Sequence, residues 1–195
     1  MAAFVVALQV QGRRCLVLGG GAEAFDKALK LLDAGGEVTV FAPTLDPRLA
    51  ARSPHDLRWE PRDFDPRRDL DPRPFVVVAT EPDAHAAVFD ACRAAGVMVC
   101  CVDAPTRCDF FHTAQGACGP LTLAVASGGL APSLAKAIRD QLIAQLDAPL
   151  RTLADALVAR REATPPGDRR RVMREALHGF ALEVRVTLPG WLRGG

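Results

Sequence analysis

Along the first half of the chain, short strand-like runs, most of them largely apolar, alternate with longer stretches whose apolar residues recur every three or four positions. The runs are 13-RRCLVLGGG-21, 37-EVTVFAP-43, 57-LRWEPRDF-64, the segment Phe75 to Thr80, and 97-VMVCCVD-103. Between the first two, Phe25, Ala28, Leu29 and Leu32 fall on one face of a predicted helix, which Gly35 and Gly36 stop. Between the last two, Val88, Ala91, Cys92 and Ala95 do the same. Strands that alternate with helices, and show no apolar/polar alternation of their own, predict a parallel sheet covered on both faces. The fold class is therefore α/β, a Rossmann-like doubly wound sheet.

After residue 112 the pattern changes. The stretch 119-GPLTLAVASGG-129 reads as a strand ending in a glycine turn. A helix follows, with Pro132 near its start and Leu134, Ile138 and Leu142 on one face. A second helix is predicted from about Pro149 through Leu150, Leu153 and Leu157, and a third from Asp168 with Val172, Ala176, Phe180 and Val184 at fourfold spacing. Each is too thin in apolar residues to stand alone, so packing on the sheet or on a second copy of the chain is expected, and with it a homodimer. The division is 1–112 for the sheet domain, 113–147 for a dimerisation segment, and 148–195 for a small helical C-terminal region.

Composition narrows the partners. A net charge of +1 over 195 residues offers no electrostatic grip on nucleic acid. The N-terminal apolar run precedes its basic pair, the wrong order for a secretory signal, and no window approaches the roughly 18 apolar residues of a spanning helix. No membrane partner is expected. Six irregularly spaced cysteines read as reduced thiols of a cytoplasmic protein.

Candidate chemistry starts at the first turn. Strand, 19-GGGAEA-24, then helix fits GxGxxA, a turn tight enough to aim a helix N-terminus and bare enough for a pyrophosphate to reach backbone amides. The same glycines could serve only to turn the chain. The acidic residue that normally holds the ribose hydroxyls at the end of the second strand is missing, because Phe41, Ala42, Pro43 and Thr44 stand there. Glu23 puts a negative charge at the start of the helix, where it would also favour the dipole.

Taken in order, the GGG turn, the VVVAT strand end, 102-VDAPTRCDF-110 and 124-AVASGGLAP-132 resemble the precorrin-2 dehydrogenase and sirohydrochlorin ferrochelatase family, the N-terminal module of siroheme synthase. The resemblance covers residues 5 to about 148. It implies NAD-dependent oxidation of precorrin-2 to sirohydrochlorin, in some members followed by insertion of ferrous iron as a substrate, and a homodimer interlocked through the segment after the sheet. A catalytically altered tetrapyrrole-binding or regulatory paralogue would keep the same motifs. Asp103 matches the family's essential aspartate, although alone it could be a loop cap. Gly19, Gly20, Gly21, Ala22, Glu23, Pro43 and Thr44 occupy positions that contact NAD in relatives, and Thr80 joins them from the VVVAT strand end. Ser127, Gly128 and His112 are the expected substrate-binding positions; Ser127 also suits a plain turn. Asp109 suits a structural cap. The chain departs from relatives at Asp26, Ala86, Cys100 and Thr113, where arginine, asparagine, asparagine and proline are usual.

Two clusters stay open. Cys100, Cys101, Cys108, His112 and Cys118 could offer metal ligands, but strand alternation sends Cys100 and Cys101 to opposite faces and no CxxC pair exists, so no residue is assigned to a metal. Arg169, Arg170, Arg171 and Arg174 could meet a polycarboxylate or form a solvated helix face.

Overall fold

The structure, a computed structural model, describes residues 4–53, 55–146 and 148–190. The chain divides into two compact units, Met1–Ala114 with Val125–Lys136, and Gln115–Ala124 with Ala137–Gly195.

The first unit is built on five parallel strands, β1 (Arg14–Leu18), β2 (Glu37–Phe41), β3 (Arg58–Glu60), β4 (Val76–Ala79) and β5 (Met98–Cys101), in the order β3-β2-β1-β4-β5. Between them run α1 (Ala22–Asp33), α2 (Pro47–Ala50), α3 (Pro66–Asp69) and α4 (His85–Ala95). The predicted doubly wound sheet is present. Successive strand residues feed opposite layers, as the pleat requires. Cys15, Val17, Val38, Val40, Val76 and Val78 pack with Ala24, Ala28 and Leu31 of α1. Leu16, Leu18, Phe41, Val77, Ala79, Val99 and Cys101 pack with Val88 and Cys92 of α4.

The face expected on α4 is the buried one. On α1 the deepest stripe is Ala24, Lys27, Ala28 and Leu31, with Phe25 and Leu32 flanking it, so the stripe sits about one residue earlier than the apolar spacing predicts. Two alanines let the helix lie flat on the sheet. Lys27 buries its stem while its ammonium meets Glu23 at 2.5 Å and Asp26 at 3.3 Å.

The Pro- and Arg-rich loop contains structure that periodicity could not reveal. Asp46 and Asp65 each accept a hydrogen bond from the backbone N–H two residues on and start the single turns α2 and α3, with proline at the first helical position. These turns fix where the chain leaves β2 and β3.

In the second unit, β6 (Ala114–Cys118) and β7 (Leu121–Val125) make a two-stranded sheet. The sequence predicted β7 but not β6, because AQGAC has almost no apolar signal. The helix α5 (Pro132–Gln145) begins in the first unit and ends in the second, followed by α6 (Ala148–Ala163) and α7 (Arg169–Ala176). Gly116 lies so close to α5 that a Cβ there would stand 2.7 Å from Ile143.

The third tail helix is shorter than predicted: it stops at Ala176, and Phe180 and Val184 lie beyond it. Gly179, at φ +83°, turns the chain away. Positions 180 and 184 also belong to a second pattern, since Phe180, Leu182, Val184 and Val186 alternate with more polar residues at a strand's period of two, and β-branched valines disfavour a helix. These four side chains are exposed. No helix among the described residues is long and apolar enough to cross a membrane.

Candidate functional site

In this strand order the connections reverse direction between β1 and β4, the point at which open α/β sheets receive ligands beyond the strands' C-terminal ends. The turn after β1 is held there from three sides. Gly19 N–H donates to Phe41 O (2.9 Å), Asp46 N–H donates to Gly20 O (2.6 Å), and the Thr80 N–H and hydroxyl both donate to Leu18 O at 2.9 Å. Chain packing alone demands two of the glycines. A Cβ on Gly19 would stand 2.1 Å from the Thr80 hydroxyl, and one on Gly20 would stand 1.9 Å from Thr44 O. Gly21 is different: nothing lies within 4 Å of where its Cβ would be, and it caps the N-terminus of α1 in extended geometry. The bare space that a pyrophosphate needs is over Gly21.

This turn forms one wall of a cavity of about 680 Å³. Of the expected cofactor residues, Gly19, Gly20, Gly21, Pro43 and Thr44 line it. Ala22, Glu23 and Thr80 are not among the lining residues: the Glu23 carboxylate turns along α1 to Lys27, and the Thr80 hydroxyl is engaged with Leu18. Glu23 therefore brings no uncompensated charge to the helix start. Sequence reading missed Asp46, Asp63, Phe64 and Glu81, which also line the cavity. Asp46 had a signal, as an acidic residue directly before a proline. Asp63 had none, because its place depends on β3 lying beside β2.

Asp103 stands two residues beyond β5, exposed, at φ +61°, the one described non-glycine residue in the left-handed region. Aspartate tolerates that conformation better than most residues, and such strain gathers at functional sites. The loop that carries Asp103 is closed at its base. Val102 N–H donates to Ala79 O (2.9 Å), and the half-buried Cys108 thiol reaches Cys101 O (3.1 Å) and Ala104 O (3.4 Å). Asp109 braces the next turn, accepting from Val99 N–H (3.1 Å) and from Arg93 (2.8 Å), the structural role expected of it.

The turn 127–129 belongs to the same unit as the Asp103 loop and meets it: a Cβ on Gly129 would stand 3.8 Å from Pro105. Ser127 Oγ accepts from Ala131 N–H (3.3 Å), and Gly128 takes φ +62°. The Nε2 atom of His112 is buried without a hydrogen-bond partner among the described residues, and the ring meets Phe110 edge-on at 5.9 Å. Burial above all, with Lys27 and Lys30 adding to it, lowers the His112 pKa to about 4, so the ring is neutral at pH 7.

Cys100 and Cys101 do point to opposite layers. Cys101 packs under α4, and Cys100 meets the Cys108 thiol at 3.9 Å. Burial raises the pKa of Cys101 to about 11 and raises that of Cys100 further, so both are protonated thiols. Among the described residues no three His, Cys, Asp or Glu side chains converge to hold a metal ion. In the second unit, Arg169 donates to Thr164 O and Arg171 pairs with Asp168 and Glu175, which leaves Arg170 and Arg174 to face solvent.

Residues 6–114 match the protein family described as "Putative NAD(P)-binding". The chain is 37% identical over 140 residues to siroheme synthase 1 of Aeromonas salmonicida, covering 71% of this chain and 30% of that protein. It is 33% identical over 188 residues to the siroheme synthase of Thioalkalivibrio sulfidiphilus, covering 95% and 34%. It thus spans about a third of the length of these relatives. In fold it is similar to the solved structure of SirC, precorrin-2 dehydrogenase, with a TM-score of 0.69 over 89% of this chain and 88% of that one, at 22% identity. The chain belongs to this NAD(P)-binding family, and the relatives it resembles are siroheme synthases.

Proposed function

We propose that the chain is an NAD-dependent precorrin-2 dehydrogenase that forms sirohydrochlorin, and that it works in the cytoplasm as a homodimer. One observation carries the reading: a cavity at the sheet's reversal point, bare above Gly21, in the same unit as an exposed Asp103 loop that touches the 127–129 turn. The donor set suits a dinucleotide, with open backbone at a helix N-terminus and an apolar wall from Phe41, Ala79 and Val88. Gly19, Gly20, Gly21, Pro43 and Thr44 would hold it, with Ala22 offering its amide at the first helical position. NAD, when bound, supplies the acceptor for a hydride.

The chain's own part is to take a proton. Oxidation of precorrin-2 removes a hydride and a proton from the macrocycle, and in this reading the Asp103 carboxylate receives the proton. No side chain among the described residues pairs with it, so only water has to leave when a substrate arrives. Ser127 and Gly128, beside the loop, and neutral His112 would position the macrocycle. Insertion of ferrous iron displaces two pyrrole protons, and the same carboxylate could accept them in turn. Residues 113–147 are the dimerisation segment in this reading, and residues 148–195 a helical region.

The decisive experiment is anaerobic incubation of the protein with precorrin-2 and NAD, following the absorbance of sirohydrochlorin. The wild type should turn over, and Asp103→Ala should lose at least about a hundredfold, the lower range for loss of a general base. Tight tetrapyrrole binding with no turnover would replace the dehydrogenase with a carrier or regulatory paralogue on the same fold.

A further inference from the structure

The acid missing from the end of β2 has a counterpart at the end of β3. The two strands pair in parallel, Phe41 opposite Glu60, and Ala42 N–H donates to Glu60 O at 3.2 Å, so the chain leaving β3 runs beside the chain leaving β2. Three residues past Glu60, Asp63 lines the cavity, and the neighbouring Phe64 meets Phe41 edge-on with ring centroids 5.8 Å apart.

Three carboxylates among the described residues line this cavity, and they are not equivalent. Asp46 is engaged: Arg48 donates to it through Nε at 2.9 Å and Nη2 at 2.8 Å, and the Arg48 backbone N–H donates to it as well. Glu81 lies on the β4 side, against Gly19. The Asp63 carboxylate is exposed and has no hydrogen-bond or ion-pair partner among the described residues. It is the free acceptor on the β2–β3 side.

Cations are arranged to the same effect. Among the described residues, no lysine or arginine lines the cavity. Arg62, beside Asp63 in sequence and stacked over the Phe41 ring, is held by Asp69 at 2.7 Å through each terminal nitrogen, and Asp69 is only 4% exposed. Arg48 is held by Asp46. A 2′-phosphate would bring nearly two negative charges to carboxylates with no free guanidinium to receive it, whereas a 2′,3′-diol would find an acceptor.

We infer that Asp63 binds the adenine-ribose hydroxyls of NAD and sets a preference for NAD over NADP. The inference rests on the reading of the cavity as a dinucleotide site. The experiment is calorimetric titration of the full chain with NAD, NADP and the 2′-deoxyadenosine analogue of NAD. The wild type should prefer NAD to both alternatives by about tenfold or more, the scale of a hydrogen bond to a charged group. Asp63→Ala and Asp63→Asn should weaken NAD by a similar factor, leave the deoxy analogue unchanged and narrow the gap to NADP, while Asp63→Arg should favour NADP. The melting temperature of each free variant should match that of the wild type, because the side chain is exposed. NAD binding by the wild type with both neutral variants within twofold for all three ligands would overturn the role of Asp63. No NAD binding by the wild type would overturn the dinucleotide reading, and this inference with it.

Discussion

At Gly20 an added methyl group would stand 1.9 Å from a carbonyl oxygen, whereas at Gly21 it would meet nothing within 4 Å. The two substitutions should separate folding from binding. Gly20→Ala should cost about 1–3 kcal/mol of stability by overpacking. Gly21→Ala should stay within about 1 kcal/mol of the wild type yet lose the rise in melting temperature expected from NAD in the proposed function. His112 supports a pH prediction. Its pKa falls from 6.5 to about 4 on folding, so above pH 6.5 neither the folded nor the unfolded chain carries the proton. As pH drops from 6.5 towards 4 the unfolded chain gains a proton that the folded one refuses, and stability falls by up to about 3 kcal/mol, at about 1.4 kcal/mol per pKa unit. Urea unfolding at several pH values should show this slope, and His112→Gln should flatten it. Asp103, in the left-handed region, should accept Asn or Gly without loss of stability, while Asp103→Val should cost about 1–2 kcal/mol.

The alternation of strands and helices was legible at the scale of elements, because β1, β4 and β5 are buried on both faces and carry unbroken apolar runs. Gly19 to Gly21 were legible as a turn for the same reason. Partners from distant segments were not. Asp63 and Phe64 come to the cavity through the β2–β3 pairing, and the 127–129 turn reaches the Asp103 loop through tertiary packing. Local competition hid others: AQGAC lacked the signal for β6, and the fourfold spacing of Phe180 and Val184 concealed a period of two. Val77, fully buried in the interior strand β4, tests the core. Val77→Ala should shift the urea midpoint by about 2 kcal/mol of stability with the m-value unchanged.

For the molecule as a whole, a homodimer predicts a light-scattering mass of twice the 20.8 kDa chain. The candidate contact is the apolar face around the start of α5, where Leu130 is 88% and Leu134 60% exposed. Leu134→Asp should shift the mass to that of one chain; a monomeric wild type would remove the dimer from the proposal. The alternating segment after Gly179 has a practical consequence for the protein in solution. Phe180, Leu182, Val184 and Val186 are exposed and have a strand's spacing, the pattern that lets extended chains stack into aggregates. Yield from concentrated preparations should therefore be limited by this short segment, and Val186→Lys should keep more protein in the supernatant without altering the cavity.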